Sequence, residues 1–123
     1  MRESRDPSYI EFQLDNEVTV VFRKVIKTGE INIEKSESVE LLKELEARPL
    51  DGAVQYFRID TTIVTEGIIK IRILVRARDK ETKGQILEWR NGKWCDRTLY
   101  CVNVGIYKLI VGVTDHLSGF GIR

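Results

Sequence analysis

The sequence predicts an all-β fold, an antiparallel β-sandwich. About eight or nine short strands are expected, with one short helix inserted near residues 37–48. Three features carry that expectation. Apolar and polar residues alternate in short runs along most of the chain, the period of half-buried strands. Residues 85–95 read QILEWRNGKWC, with Asn91-Gly92 between two strand-forming runs. Asn and Gly reach positive φ most cheaply, as both central positions of a type I′ turn demand, so this dipeptide marks a hairpin. The helical period occurs once, between residues 36 and 48.

A two-residue turn sets the hairpin's register. Arg90 pairs with Lys93, and Trp89 then lies opposite Trp94 on one face. Two facing indoles contribute about 1 kcal/mol beyond their burial.

In chain order, residues 1–8 (MRESRDPS) are polar and expected to be poorly ordered, with a single domain over residues 9–123. Residues 9–14 alternate Ile10, Phe12 and Leu14 against Glu11 and Gln13. Residues 18–26 form a β-branched run, Thr28-Gly29 turns the chain, and Ile31 and Ile33 mark a strand at 30–34. These three strands are expected to be consecutive antiparallel neighbours. The run SESVELLKELEAR at 36–48 then places Val39, Leu42 and Leu45 at helical spacing, with Leu41 beside them. Ser36 or Ser38 can cap its start, acidic residues lie in its first turn and Pro49 ends it. Its apolar stripe is expected to plug one end of the β core, with protein docking as the sharper reading.

Strands resume at 54–62 and, after a Glu66-Gly67 turn, at 68–76. There Ile69, Ile71, Ile73 and Val75 share one face, and Leu74 interrupts the polar one. Residues 78–84 (RDKETKG) form a charged loop. After the hairpin come strands at 98–104, 106–113 and 119–122. Gly112, Gly119 and Gly121 lie along these strands, where glycine marks a bulge or close packing. A closed barrel is the alternative arrangement.

At 123 residues the chain can build one domain with a real core. Its 20 basic and 19 acidic residues nearly cancel, leaving no long-range field to gather nucleic acid or an anionic membrane. No apolar run approaches the roughly 18–20 residues of a membrane span. Residues 1–8 lack the apolar core of a signal peptide, so the chain reads as an intracellular protein, a mature form or an excised domain. Abundant Lys, Glu and Arg beside four Asn and three Gln lean toward a thermophile's composition.

Cys95 and Cys101 leave two readings open. A disulfide closing so short a loop would stabilise by about 2 kcal/mol in the loop-entropy model. It would place the chain in an oxidising compartment or a hyperthermophile's cytosol. Two small buried thiols are the other reading. Two cysteines and His116 fall short of the ligand set of a structural zinc site, and neither metal nor cofactor is expected.

Residues 56–73 (YFRIDTTIVTEGIIKIRI), 87–98 (LEWRNGKWCDRT) and 113–122 (VTDHLSGFGI) together resemble a recurrent accessory domain of bacterial and archaeal secreted and cell-surface proteins. Those domains read as a Tyr-x-x-Ile-x-Thr-Thr strand, a Gly before an Ile/Val-rich strand, an Asx-Gly-x-Trp hairpin followed by Asp-x-Thr, and a terminal His-Phe-Ser-x-Phe strand. Residues 18–33 (VTVVFRKVIKTGEINI) resemble their start. The resemblance implies an immunoglobulin-like sandwich near the end of a larger extracellular chain, with no catalytic residues to carry over. It also implies that His116 and Ser118 bond backbone at the entry to the last strand. Two departures stand out: the helix at 36–48 replaces a loop, and Leu117 replaces the usual Phe after His.

Asp115, His116 and Ser118 carry the letters of a catalytic triad, but near neighbours in a strand cannot hold one another in triad geometry. Any carboxylate pair could be picked from seven Asp and twelve Glu, and no glycine-rich phosphate loop is present. No catalytic residue is expected. Trp89 and Trp94 could stack on a sugar ring, with Arg90, Lys93 and Asp96 bonding its hydroxyls. The blander reading makes Trp94 core and Trp89 its cover. Exposed strand edges could also pair between copies, although charges scattered among the strands oppose it. The expected function is a non-catalytic structural or interaction module of a surface or secreted protein, partnered by other domains of that protein or by itself. A polysaccharide-binding module and a self-assembling subunit are the alternatives.

Overall fold

The computed structural model describes residues 10–14, 16–76 and 82–123. The segment at 1–8, and most of the charged loop expected at 78–84, lie outside the described residues. Among the described residues, ten strands form two five-stranded antiparallel sheets. The first sheet runs in the order β1 (Ile10–Gln13), β2 (Val18–Lys27), β5 (Val64–Arg76), β9 (Tyr107–Thr114) and β8 (Thr98–Val104). The second runs β3 (Ile31–Ser36), β4 (Gln55–Thr61), β10 (Gly119–Ile122), β6 (Ile86–Arg90) and β7 (Lys93–Asp96). The fold is the expected sandwich, with ten strands rather than eight or nine.

Alternation explains the core between the sheets. Val18, Val20 and Phe22 on β2 and Ile69, Ile71, Ile73 and Val75 on β5 point inward, opposite Phe57, Ile59, Ile86, Phe120 and Ile122 of the second sheet. The inward face predicted for residues 69–75 is the one observed.

Three expectations need correction. The first three strands are not consecutive neighbours: β2 pairs with β1 and β5, whereas β3 pairs with β4 in the other sheet. The chain crosses between sheets at Thr28-Gly29, and the crossing is tied to the end of β4. There the Glu30 N–H donates to Thr62 Oγ1 at 2.9 Å and the Thr61 hydroxyl donates to the Glu30 carbonyl at 2.7 Å.

Glu66-Gly67 is not a turn. β5 runs through it for thirteen residues, and Gly67 at φ 82° sits where the pairing with β2 shifts register between Phe22↔Ile69 and Lys24↔Glu66. One residue of β2 there faces two of β5, a bulge that needs the same positive φ a turn would.

The helix is a shorter 3₁₀ segment, Val39–Leu45, interrupted at Leu42 and ended by Glu46 in the left-handed region at φ 56°, before Pro49 is reached. Ser38 caps it as expected, its Oγ accepting from the Glu40 N–H at 3.2 Å. It does not plug the end of the core. It covers the outer face of the second sheet, where Leu42 and Leu50 form a second core with Tyr56 and Leu87. Gly119 and Gly121 make the room, since a Cβ at Gly119 would lie 2.7 Å from Leu45 and one at Gly121 would lie 2.8 Å from Leu50. The close-packing reading of these glycines is the observed one.

The hairpin stands as expected. β6 and β7 pair Arg90 with Lys93 and Trp89 with Trp94, and the two turn residues have φ 54° at Asn91 and 77° at Gly92. A Cβ at Gly92 would meet nothing within 4 Å, so only backbone conformation opposes a side chain there. Gly92→Ala is therefore expected to lower stability by about 1 kcal/mol in chemical denaturation, whereas Asn91→Gly stays within a few tenths.

Candidate functional site

The two indoles of the hairpin are structural anchors. Trp89 is 9% exposed, and its Nε1 donates to the Leu45 carbonyl at 2.9 Å. The Trp94 Nε1 donates to the Arg48 carbonyl at 2.8 Å. The rings meet edge to face, with centroids 5.3 Å apart, and Tyr56 lies 6.1 Å from Trp94. The covering segment thus hangs from both indoles by hydrogen bonds to its carbonyls. A stacking platform needs an open ring face, and burial denies Trp89 that role. Arg90 points elsewhere, to Asp115, and the Asp96 carboxylate caps the crossing after β7 by accepting from the Thr98 N–H at 2.9 Å. Lys93 is exposed at the turn. The five residues of the expected sugar site are not brought together around one open surface.

Cys95 and Cys101 are both free thiols. They lie in different sheets, Cys95 of β7 opposite Glu88 and Cys101 of β8 opposite Ile110, so the disulfide reading gives way to two free thiols, which are half-buried rather than buried. Cys101 packs against the main core, with its sulfur close over Gly84. No group of three or more His, Cys, Asp or Glu side chains poised for a metal occurs among the described residues.

The residue that sequence reasoning missed is Glu88. Its side chain is fully buried, because Glu88 shares the inward face of β6 with Ile86. Its Oε1 accepts from Arg97 Nε at 3.0 Å and from the Thr114 hydroxyl at 2.8 Å, and its Oε2 accepts from the Ser118 hydroxyl at 3.0 Å. His116 Nδ1 lies 3.8 Å from the same oxygen. The parity of Ile86 and Glu88 was the available signal. Once the hairpin register places Ile86 in the core, Glu88 must follow it inward.

The triad letters resolve around this carboxylate. The Ser118 hydroxyl is given to Glu88, and the Ser118 carbonyl accepts from the Ile59 N–H at 2.9 Å. The His116 N–H is donated to Thr114 Oγ1 at 3.3 Å. The resemblance implies that His116 and Ser118 bond backbone; the Ser118 hydroxyl instead has a carboxylate partner, and the His116 ring lies 3.8 Å from that same carboxylate.

At this end of the sandwich lies an open groove of about 410 Å³ between the β4–β5 and β9–β10 connections. Phe22, Ile63 and Leu117 form its apolar lining, and Asp60, Asp115 and His116 its polar one. Both carboxylates are engaged: Asp60 lies 3.3 Å from Arg58, and Asp115 lies 2.6 Å from Arg90. The hydrogen bond from Arg90 holds the Asp115 carboxyl below its usual range and raises the Arg90 guanidinium.

Comparison with known proteins finds no matching family model, no similar curated protein and no similar solved structure.

Two outcomes follow from this geometry. Glu88→Ala leaves Arg97 and Ser118 without their carboxylate acceptor and is expected to cost about 3 kcal/mol in chemical denaturation. The Asp115–Arg90 pair acts on the acid limb. Because the folded carboxyl titrates below its unfolded value of about 4, its stabilisation is complete above that pH and is lost as pH falls through the folded value. The effect is small because Asp115 is exposed. The thermal midpoints of wild type and Asp115→Asn should differ slightly at neutral pH and converge in acid.

Proposed function

We propose that this chain is a non-catalytic structural and interaction module of a cell-surface or secreted protein, an immunoglobulin-like accessory domain. One observation supports this reading most directly: the polar side chains with chemical potential are engaged in holding layers together. Glu88 receives three hydrogen bonds from the connections around it, and both indole N–H groups are bound to the covering segment. Such a sandwich serves as a spacer or a docking body, with its exposed strands as the working surface. The extracellular placement rests on the motif resemblance in residues 18–122, and the free thiols lend it no disulfide support. No helix is long and apolar enough to cross a membrane among the described residues.

Location tests the proposal. Fractionation of the producing cells with an antibody to this chain is expected to recover it from the surface or the medium, and in intact cells an added protease should reach it. Recovery from the cytosol alone overturns the surface reading.

A further inference from the structure

The two sheets end in four strands whose outer backbone edges have no strand neighbour among the described residues. Three of the four are defended. β1 is four residues long and carries Glu11; β7 is equally short and has Lys93 and Asp96 at its ends. β3 carries Glu34 and Lys35. Short length and charge are the ordinary means by which a sheet edge avoids pairing with another chain.

β8 has neither. It runs for seven residues, TLYCVNV, and no charged side chain occurs from Thr98 to Tyr107 in a chain that is 32% charged. On the outer face of the first sheet its side chains are apolar and exposed: Tyr100 is 47% exposed, Val102 45% and Val104 50%. Tyr107 extends this patch onto β9. The backbone is presented as well. The β8–β9 hairpin turns through Gly105-Ile106, so Val104 and Tyr107 form the hydrogen-bonded pair beside the turn. Alternation from there directs the N–H and C=O groups of Cys101 and Asn103 away from β9, toward the open edge.

We propose that β8 is a homodimerisation edge, where two copies pair antiparallel about a two-fold axis at Val102. In this register Cys101 of one copy exchanges both backbone hydrogen bonds with Asn103 of the other, and the reverse. Val102 faces Val102 on the axis, and Tyr100 faces Val104. The two first sheets join into one continuous ten-stranded sheet, with the exposed apolar patches side by side. A second copy is the occupant because the segment is its own complement in an isologous contact. An uncharged strand meets no like charge in its twin, and a net charge of +1 per chain hardly opposes the approach. This rests on the interaction-module reading and names its partner.

Light scattering on the full chain reads the outcome. Wild type is expected at twice the 14.2 kDa chain mass, falling toward the single mass on dilution. V102K and V102E each place like charges together on the axis and should be monomeric, with unchanged circular dichroism because the side chain is exposed. An equimolar mixture of the two should recover the dimer mass, since opposite charges then meet. V102T, which keeps the strand's shape and adds no charge, should remain dimeric. A monomeric wild type, an oligomer that V102K leaves intact, or a V102K–V102E mixture that stays monomeric overturns the proposal. None of these results bears on where the protein resides, and a cytosolic location would leave the mass measurement as it stands.

Discussion

A single buried carboxylate ties together the connections on which this sandwich depends. Glu88 takes its charge into the space between the sheets, where desolvation costs several kcal/mol unless partners surround it. The partners come from three places. Arg97 lies in the crossing from β7 to β8, Thr114 ends β9, and Ser118 precedes β10. Both crossings carry the chain from one sheet to the other. Arg97 does the same work through its backbone, donating to the Ile86 carbonyl of the second sheet and accepting from the Val113 N–H of the first. Gly112 lets that carbonyl come close, because a Cβ there would lie 3.0 Å from the Arg97 oxygen and 2.6 Å from Ile86. The charge, the guanidinium and the missing side chain are one device.

The two sheets are treated differently by the rest of the chain. The second is buried on both faces. Its inner face meets the main core, and its outer face meets the segment that carries Leu42, Leu45 and Leu50. That is why its central strand, β10, reads Gly-Phe-Gly-Ile: the large residues fill the core while the glycines admit leucines from outside. It is also why the hairpin has two tryptophans. Trp94 packs against that second core, Trp89 meets Trp94 edge to face, and each uses its one polar atom on a carbonyl of the covering segment, an arrangement suited to a side chain that is apolar except at one edge.

What was legible in the sequence follows from the range of the forces involved. The Asn91-Gly92 turn and the Trp89–Trp94 register are set within four residues of one another, and the inward face of residues 69–75 by strict alternation; both were readable. Gly67 misled because a bulge and a turn ask the same positive φ of the backbone. The short link at Thr28-Gly29 misled because strand patterns do not say whether the next strand stays in its sheet. The role of Trp89 was undecidable locally, since its hydrogen-bond partner lies at residue 45, in a segment whose helical period suggested an end plug. Glu88 was hidden by the general rule that carboxylates face water, although its parity with Ile86 pointed inward.

The same asymmetry decides where this molecule has surface to offer. A covering layer closes the outer face of the second sheet, and charge or brevity guards both of its edges. Among the described residues the first sheet has no such layer. Between β1 and β5 its outer face carries charge, with Arg72 paired to Glu11 at 2.6 Å. Toward β8 that polarity ends, and Tyr100, Val102 and Val104 stand exposed on the margin of the sheet. Isolated exposed apolar residues need no explanation, but a contiguous row on an uncharged edge strand does. A chain that spends charged residues so freely elsewhere would be expected to place one here if the edge stayed in water. The strand that lacks protection is therefore the one where contact with another chain is least opposed, both by its side chains and by its unpaired backbone.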